Sequence, residues 1–342
     1  MNYSEILNSL SQKKDLAPGQ ASLLMREMME GKYTQVQMAA LLVALKMKGE
    51  SIAEIAEFAL EMRRNAIDVS VPGMDFIDTC GTGGDGLHTF NISTASTLIA
   101  GALGCKIAKH GNRSVSSKCG SADVLQALGI PMEGSPERLK LCLQKVGLAF
   151  LFAPLLHPAM SNIMPVRKEL GIRTVFNMLG PLVNPARVKK QIIGVYDEKL
   201  CLWYAEILQR MGHLEAYLVH GKDGLDEVSG SAPTTVIHLK NGAIQSFEIT
   251  PEQFGIKRHS LQDISGGDAE ENADWIRKIL KGEKGPRRDI ACLNAAFAIK
   301  LFGITHDLQA AYIKAYEAID SGLAQQKLEE WIAFFAPSPG QT

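Results

Sequence analysis

From residue 76 onward, short apolar segments alternate with segments of helical pattern, and this alternation limits the possible folds more than any other feature of the chain. Strand–helix alternation is typical of an α/β layer with a largely parallel sheet. The predicted strands are Phe76–Ile77, Cys105–Ala108, Ala149–Phe152, Ile192–Tyr196, Ala216–His220 and a hairpin of 236–239 with 244–249 around Asn241-Gly242. The predicted helices are 93–103, 199–211, 269–280 and 289–302.

Residues 1–66 show helical patterns only, with capping boxes at Thr34–Gln37 and at Ser51–Glu54. The helix that follows Thr34 is apolar on nearly every side, so it must be buried on most sides. It either packs under the rest of the chain or forms an interface between subunits. The face predicted to be buried, partly in a homodimer, contains Val36, Ala40, Val43 and Met47.

Composition restricts the class of function. Hydrophobic residues make up 46% of the 342 positions and charged residues 21%, which is typical of a globular protein. A net charge of −1 provides no overall basic field that would recruit nucleic acid or an anionic membrane. The six cysteines are scattered without a CxxC pair, as expected for reduced thiols, and Met38–Leu45 is too short to span a membrane. We therefore expect a cytoplasmic protein that binds neither nucleic acid nor membrane.

The glycine-rich loop Gly81–Gly86, "GTGGDG", lies between a predicted strand and a helix that begins with Asn91–Thr94, "NIST". Glycine lets backbone N–H groups approach an anion, and a helix N-terminus adds partial positive charge. The spacing matches neither GxGxxG nor a P-loop, so a simple glycine turn is the alternative interpretation. The hydroxyl and amide groups of "NIST" favour a phosphate or pyrophosphate ligand.

A second loop, Lys109–Arg113 "KHGNR", follows the next predicted strand, and Ser116–Asp123 "SSKCGSAD" adds another helix start rich in hydroxyls and glycine. Loops that follow successive parallel strands face the same sheet edge, where α/β proteins bind ligands. Farther along, Asp226 and Glu227 offer hard oxygen ligands that suit Mg²⁺. The alternative for this pair is a solvated acidic turn.

The segment 157–186 is dense in Pro, Asn and Arg. Arg167 could hold a carboxylate through two hydrogen bonds. Met178, Leu179 and Pro181 could form an apolar wall for a flat ring. The alternative interpretation is a helix–loop–helix connector with surface arginines.

Taken in order, these motifs resemble the anthranilate phosphoribosyltransferase family. The resemblance is carried by "GTGGDG", "TFNIST", "KHGNR", "SSKCGSADVLQALG", "HPAM", "PVRKELGIRTVFNMLGPLVNP", "HGKDGLDE" and "ENADWIRKILKGEKGPRRDIACLNAA". It implies a nucleoside-phosphorylase-type α/β fold with a small all-helical domain, a large α/β domain with a mostly parallel central sheet, and a homodimer formed through the helical domain. The small domain would comprise 1–67 plus about 165–190, the large one 68–164 plus 191–342, with the anthranilate site at their junction.

The resemblance also implies roles for individual residues. Gln126 and Cys119 depart from the family pattern, and neither holds an implied role. The implied ligands of two Mg²⁺ ions are Ser93, Asp226 and Glu227. The implied anthranilate-binding residues are Gly81, His110, Asn112, His157, Arg167 and Pro181. The implied residues for 5-phosphoribosyl 1-diphosphate (PRPP) are Gly81, Gly84, Asp85, Thr89, Asn91, Ser93, Thr94, Lys109 and Ser121.

The implied reaction is attack of the anthranilate amine on C1 of PRPP with loss of pyrophosphate. An aromatic amine is neutral at pH 7, so we expect no obligatory general base, and His110 is a candidate proton acceptor. Two alternatives remain at this point: a nucleoside phosphorylase of the same fold, and a relative without enzymatic activity that binds nucleic acid. Arg167, the Asp226–Glu227 pair and the net charge of −1 favour the transferase.

Overall fold

The computed structural model describes residues 2–113 and 119–336. In these residues the strands are β1 Ile77–Gly81, β2 Ile107–Gly111, β3 Leu148–Phe152, β4 Lys190–Gly194, β5 Glu215–Gly221, β6 Thr234–Lys240 and β7 Ala243–Ile249. The α-helices are α1 Tyr3–Ser11, α2 Gln20–Met29, α3 Gln35–Lys48, α4 Ile52–Arg64, α5 Ile92–Ala102, α6 Ser121–Ala127, α7 Pro136–Lys145, α8 Ala153–Leu156, α9 Met164–Leu170, α10 Phe176–Leu179, α11 Glu198–Arg210, α12 Ala269–Leu280, α13 Pro286–Phe302, α14 Leu308–Asp320 and α15 Leu323–Phe335.

The strands form one sheet in the order β3-β2-β1-β4-β5-β6-β7. The first five in this order are mutually parallel, and β6 and β7 are added antiparallel. Asn241 and Gly242, at the β6–β7 turn, both have positive φ, of 48° and 81°, as a two-residue hairpin of type I′ requires. The mostly parallel sheet and the hairpin predicted from the sequence are both confirmed.

The sheet separates two hydrophobic cores. Along β5, Tyr217 and Val219 join the core that contains α5 and α13, whereas Ala216 and Leu218 join the core shared with α11 and the N-terminal helices. Successive strand residues point to opposite faces, so burial of both sets means that both faces of the strand are covered. The second core thus connects the helical N-terminus to the sheet.

Helix α3 buries a different face from the one predicted. Met38, Leu41, Leu42 and Leu45 are buried. Val36 and Met47, predicted to be buried partly in a homodimer, are 80% and 75% exposed in the single chain, so their burial stays a prediction for the dimer. Ala40 and Val43 are half-buried. The leucines pack inward because α1 and α9 lie against this helix, and the opposite apolar stripe stays uncovered by the chain itself.

Between β3 and β4 the chain leaves the sheet and contacts the N-terminal helices. Helix α9 packs against α3, and α10 packs against α4. The chain then returns to the sheet at Lys190. This excursion carries Arg167 and Pro181 from the side of the helices to the carboxyl edge of the parallel strands.

The carboxyl ends of the parallel strands place the sequence motifs side by side. Gly81 ends β1 and Gly111 ends the neighbouring β2. Lys109 and His110, expected in a loop, are buried residues inside β2, because that strand runs three residues further than its apolar pattern. No helix among the described residues is long and apolar enough to cross a bilayer.

Candidate active site

A cavity of about 740 Å³ opens at the carboxyl edge of the sheet. Its walls come from the loop after β1, the end of β2, the segment 167–181 and the acidic loop after β5. Of the residues implied by the resemblance, the structure brings to this cavity Gly81, Gly84, Asp85, Thr89, Asn91, Ser93, Lys109, His110, Asn112, Ser121, Arg167, Pro181, Asp226 and Glu227. Thr94 and His157 are buried outside the lining.

The glycine-rich loop takes backbone conformations that favour glycine. Gly83, Gly84 and Gly86 have φ of 64°, 85° and 72°, a region that other L-residues rarely adopt. The Gly83 N–H donates to a carboxylate oxygen of Asp226 at 2.9 Å. Asn91 stands at the N-cap of α5 without using its side chain as a cap, so capping does not account for its amide.

Lys109 brings a buried positive charge to the cavity wall. It is 2% exposed, and its Nζ donates to the Thr79 carbonyl and, at 3.1 Å, to Ser93 Oγ. Burial lowers the pKa of this ammonium, while the negative charges of Asp78 and Glu227 oppose that effect. The site therefore holds a lysine charge next to the first turn of α5, where an anion is also favoured by the helix dipole.

Three carboxylates face the same end of the cavity: Asp85, Asp226 and Glu227. Desolvation, and then the charge of Asp85, raise the pKa of Asp226. Desolvation and the charge of Asp226 raise the pKa of Glu227. Carboxylates that repel one another in this way are stabilised by a cation.

The donor set of this acidic end fits Mg²⁺. Among residues 2–113 and 119–336, no three His, Cys, Asp or Glu side chains converge closely enough to hold a metal by themselves. Mg²⁺ commonly takes one or two carboxylates and completes its shell with water and substrate phosphates. Asp226 and Glu227 beside Ser93 offer such a partial set of hard oxygen ligands.

Another part of the cavity lining contains the neutral imidazole of His110 and the apolar ring of Pro181. His110 Nδ1 lies 3.2 Å from the Gly180 carbonyl, and the ring packs edge-on against His157 with centroids 5.3 Å apart. Burial lowers the pKa of His110 to about 3 and that of His157 to about 4, so both rings are neutral at pH 7. Gln191 Nε2 donates a hydrogen bond to the backbone carbonyl of the neighbouring Pro181 at 2.9 Å.

Arg167 lines the same cavity, and it has no acidic partner among the described residues. Its guanidinium lies over the ring of Phe176, 5.3 Å from the centroid, and Nη1 is 3.5 Å from Met164 Sδ. In the part of the chain that the structure describes, no carboxylate pairs with it. An arginine held by an aromatic face and a thioether keeps its planar fork available for a ligand carboxylate.

The cavity residues that sequence reasoning missed include Arg173, Asn177 and Cys119. Arg173 stacks on Tyr196 at 4.4 Å, and its Nη2 comes within 2.9 Å of where a Cβ on Gly84 would stand. Asn177 lines the cavity and accepts the Thr174 N–H at 2.9 Å. Cys119, which had no implied role, lies 3.4 Å from Asn91 Oδ1. Arg173 and Asn177 stand six and ten places after Arg167 in the same motif, a signal that could have found them.

Comparison with known proteins agrees with this geometry. Residues 4–66 match the model of the glycosyl transferase family helical bundle domain, and residues 73–325 match that of the family's a/b domain. Anthranilate phosphoribosyltransferases from Desulfatibacillum aliphaticivorans and Thermoanaerobacter sp. (strain X514) are 46% and 49% identical to the chain. The matches cover 97% and 96% of this chain and 98% of each relative. The chain belongs to the anthranilate phosphoribosyltransferase family.

Solved structures of anthranilate phosphoribosyltransferases show the same architecture. The Thermus thermophilus enzyme superposes with a TM-score of 0.89 at 41% identity, over 96% of this chain and 98% of that one. The Saccharomyces cerevisiae enzyme in complex with PRPP and Mg gives a TM-score of 0.88 at 31% identity, over 97% of both chains. Its complex with 4-fluoroanthranilate gives 0.87 at 29% identity, over 97% of this chain and 98% of that one.

These findings confirm the family, the fold class and the enzyme class predicted from the sequence: the chain is a phosphoribosyltransferase of this family. They do not favour the nucleoside phosphorylase or the nucleic-acid-binding alternative. Three of the residues in the resemblance motif "SSKCGSADVLQALG", numbers 116–118, lie outside the described residues.

Proposed function

We propose that the protein transfers the 5-phosphoribosyl group of PRPP to the amine of anthranilate, giving N-(5-phosphoribosyl)anthranilate and pyrophosphate in tryptophan biosynthesis. The observation that carries the proposal is that one cavity is lined by two sets of side chains of different chemistry. One set comprises a glycine loop, a lysine and carboxylates, and the other comprises an unpaired guanidinium and the ring of Pro181. The family membership of the chain supports the same reaction.

The phosphate groups of PRPP would lie at the glycine end. Gly81, Gly84, Asp85 and Thr89 would contact the diphosphate and ribose through short backbone and side-chain groups. Asn91, Ser93, Lys109 and Ser121 would hold phosphate oxygens, and Thr94 keeps this role as a prediction only. The helix dipole of α5 and the Lys109 charge would stabilise the negative charge that grows on pyrophosphate as the C1–O bond breaks.

Mg²⁺ would be held by Asp226, Glu227 and Ser93, and we propose two ions. The yeast relative was solved in complex with PRPP and Mg. Bound metal supplies electrostatic stabilisation of the leaving pyrophosphate. The protein's own part is to keep the acidic loop in place, which it does through the Gly83 N–H to Asp226 hydrogen bond.

Anthranilate would lie at the other end, with its carboxylate on Arg167 and its ring along Pro181. Gly81, Asn112 and His110 would border the same space, and His157, outside the cavity lining, keeps this role as a prediction only. Fixing the carboxylate orients the ortho amine toward C1, so catalysis comes mainly from positioning and electrostatics. The neutral His110 ring can accept the proton that the amine loses, which requires no prior deprotonation of the substrate.

We further propose a cytoplasmic homodimer with the domain division expected from the resemblance. The uncovered apolar stripe of α3 supports an interface there, since Val36 and Met47 are 80% and 75% exposed in the single chain. The contacts of α9 and α10 with the N-terminal helices support counting 165–190 with the helical domain. All six cysteines are free thiols, which agrees with a reducing compartment.

The direct test is an assay of purified protein with anthranilate and PRPP, following the loss of anthranilate fluorescence with and without Mg²⁺. We expect turnover that needs both substrates and stops when the metal is chelated. Phosphorolysis of a nucleoside by inorganic phosphate, without reaction of anthranilate, would contradict the proposal and favour a phosphorylase.

A further inference from the structure

A second group of basic side chains lies at the amino edge of the sheet, away from the cavity. It consists of Arg63, Arg187, Lys189 and His213, here named the basic cluster. Arg63 is in the last turn of α4, Arg187 and Lys189 precede β4, and His213 stands in the turn between α11 and β5. Because β4 spans five residues, the cluster is about 13 Å or more from the strand end that faces the cavity.

Arg63 is a largely buried arginine without a counter-charge among the described residues. It is 8% exposed and, within residues 2–113 and 119–336, its side chain makes neither an ion pair nor a hydrogen bond. Burial lowers its pKa to about 10, and the neighbouring charge that acts on it is the positive charge of Arg187. Burying an unpaired charge is costly, so such a group is normally matched by an anion.

His213 has unsatisfied hydrogen-bonding capacity at the same place. It is 4% exposed, and both ring nitrogens are buried; the Leu208 carbonyl lies near the ring, but no hydrogen bond of normal geometry forms to either nitrogen within the described chain. Burial, then Arg63, then Lys189 lower the pKa of its ring to about 3, with the Leu208 carbonyl acting in the opposite direction. A neutral imidazole in this position retains one N–H donor.

Lys189 and Arg187 complete the cluster from the segment that enters β4. Lys189 Nζ lies 3.7 Å from where a Cβ on Gly212 would stand, and the Lys189 carbonyl accepts the Leu214 N–H at 2.9 Å, so this lysine flanks His213. Arg187 pairs with Asp68 at 3.4 Å. Asp68 is the only carboxylate of the described residues that forms an ion pair with any member of the cluster.

We propose that the basic cluster binds a tetrahedral oxyanion: inorganic phosphate or the phosphate group of a small metabolite. Arg63 and Lys189 supply the positive charge, and His213 donates a hydrogen bond. The planar arginine fork matches phosphate oxygens, and lysine binds phosphate as a point charge. With one of the three cations already paired to Asp68, two remain, which suits an anion of charge near −2 better than a single carboxylate.

The bound anion would connect three parts of the fold. It would tie the last helix of the N-terminal bundle to the strand-entry segment of β4 and to the α11–β5 turn. The consequence is thermal stabilisation by phosphate that does not depend on the catalytic cavity. This proposal does not rest on the proposed function.

The test is a titration with inorganic phosphate, followed by NMR of protein labelled with ¹⁵N in its histidines. The His213 ring signals are assigned by their loss in His213→Gln, and His110, which lines the catalytic cavity, reports phosphate there separately. We expect a saturable change of the His213 signals. Arg63→Gln and Lys189→Gln should each weaken this binding about ten-fold or more, since each removes a charged hydrogen-bond donor.

Lys257→Gln is the matched control, because Lys257 is an exposed lysine remote in sequence from the cluster, and its affinity should equal that of the wild type. Lys189 is exposed, so Lys189→Gln keeps the test valid even if Arg63→Gln fails to fold. If ribose 5-phosphate binds more tightly than inorganic phosphate, the ligand of the cluster is the phosphate group of a metabolite. If the two bind equally, the ligand is the free phosphate ion. No change at His213, or equal affinity in wild type and Lys189→Gln, would overturn the proposal.

Discussion

At the scale of single residues, Arg167 and Arg173 carry the same guanidinium group, but their different neighbours give them two different expected roles. Arg167 rests on Phe176 and has no acidic partner in the described residues, so its fork is free for a ligand. Arg173 is stacked on Tyr196 and reaches Gly84 of the glycine loop. We therefore expect Arg167 to bind the anthranilate carboxylate and Arg173 to contact PRPP on its side of the cavity.

Arg167→Ala should raise the KM for anthranilate and leave the KM for PRPP nearly unchanged. The loss of a charge-assisted hydrogen bond, about 1.5–3 kcal/mol, corresponds to about ten- to a hundred-fold. Arg167→Lys should recover only part of it, because lysine lacks the fork. Steady-state kinetics with each substrate varied measure both constants, and Arg173→Ala is the matched variant. Equal weakening of both substrates by Arg167→Ala would mean that Arg167 supports the loop instead.

Replacing Asp226 and Glu227 together by Ala should remove most of the activity at ordinary Mg²⁺ concentrations and leave the fold intact. These carboxylates repel one another and Asp85, so removing them relieves repulsion while it deletes the metal ligands. Turnover and circular dichroism are the measurements. The control removes the same charge from the surface, in Glu270→Ala with Asp274→Ala on α12. Near-normal turnover of the Asp226/Glu227 variant would show that the metal assignment is wrong.

Acidification should destabilise the protein in part through His157. Its pKa is about 4 when folded against about 6.5 when unfolded, so the unfolded chain binds more protons between these values. The free energy of unfolding therefore falls as the pH drops below about 6.5 and levels off near pH 4. By pH 5 this one group accounts for about 2 kcal/mol. Urea unfolding at several pH values, in buffers without phosphate, should show a weaker decline for His157→Gln; an identical decline would refute this.

At the scale of elements, the apolar pattern located the strands and several of the helices, but it missed α7, α14 and α15 and did not give the faces that the elements bury. The predicted helix 269–280 coincides with α12, and 199–211 is displaced by one residue from α11. Strand β2 extends to Gly111 although Lys109 and His110 break its apolar pattern. Their burial depends on partners distant in sequence, such as Asp78, whose carboxylate accepts the His110 N–H at 3.1 Å. Hydrophobic periodicity carries no information about such partners.

Helix α3 gives the element-scale prediction. Ala40→Glu with Val43→Glu should convert a dimer into a folded monomer, because both positions are only half-buried in one chain and a partner subunit would desolvate the new charges. Sedimentation velocity at micromolar concentration measures the change, with circular dichroism to verify folding. Ile313→Glu, at an exposed position of α14, is the control and should remain dimeric. A wild type that sediments as a monomer would exclude this interface.

At the scale of the whole molecule, the strand order was not predictable from the sequence. The pattern indicates a parallel sheet, but not that β4 pairs with β1 after the chain has passed through α9 and α10. That pairing places the acidic loop after β5 near the glycine loop after β1. Arg167 and the acid pair were identified from the sequence by their side-chain chemistry, whereas the position of Cys119 next to Asn91 depends on tertiary proximity and was not.

Gly194, at the carboxyl end of β4, sets how near the acidic loop can approach the sheet. A Cβ at this position would stand 1.6 Å from the backbone carbonyl oxygen of Asp226, and the Gly194 carbonyl also accepts the Thr82 N–H at 2.8 Å. Even one methyl group would lift the loop and move the carboxylates away from the place where PRPP is proposed to bind. If all twenty amino acids were tried at this position and the library selected for growth without tryptophan, we expect glycine alone to survive, although no atom of residue 194 need touch a substrate.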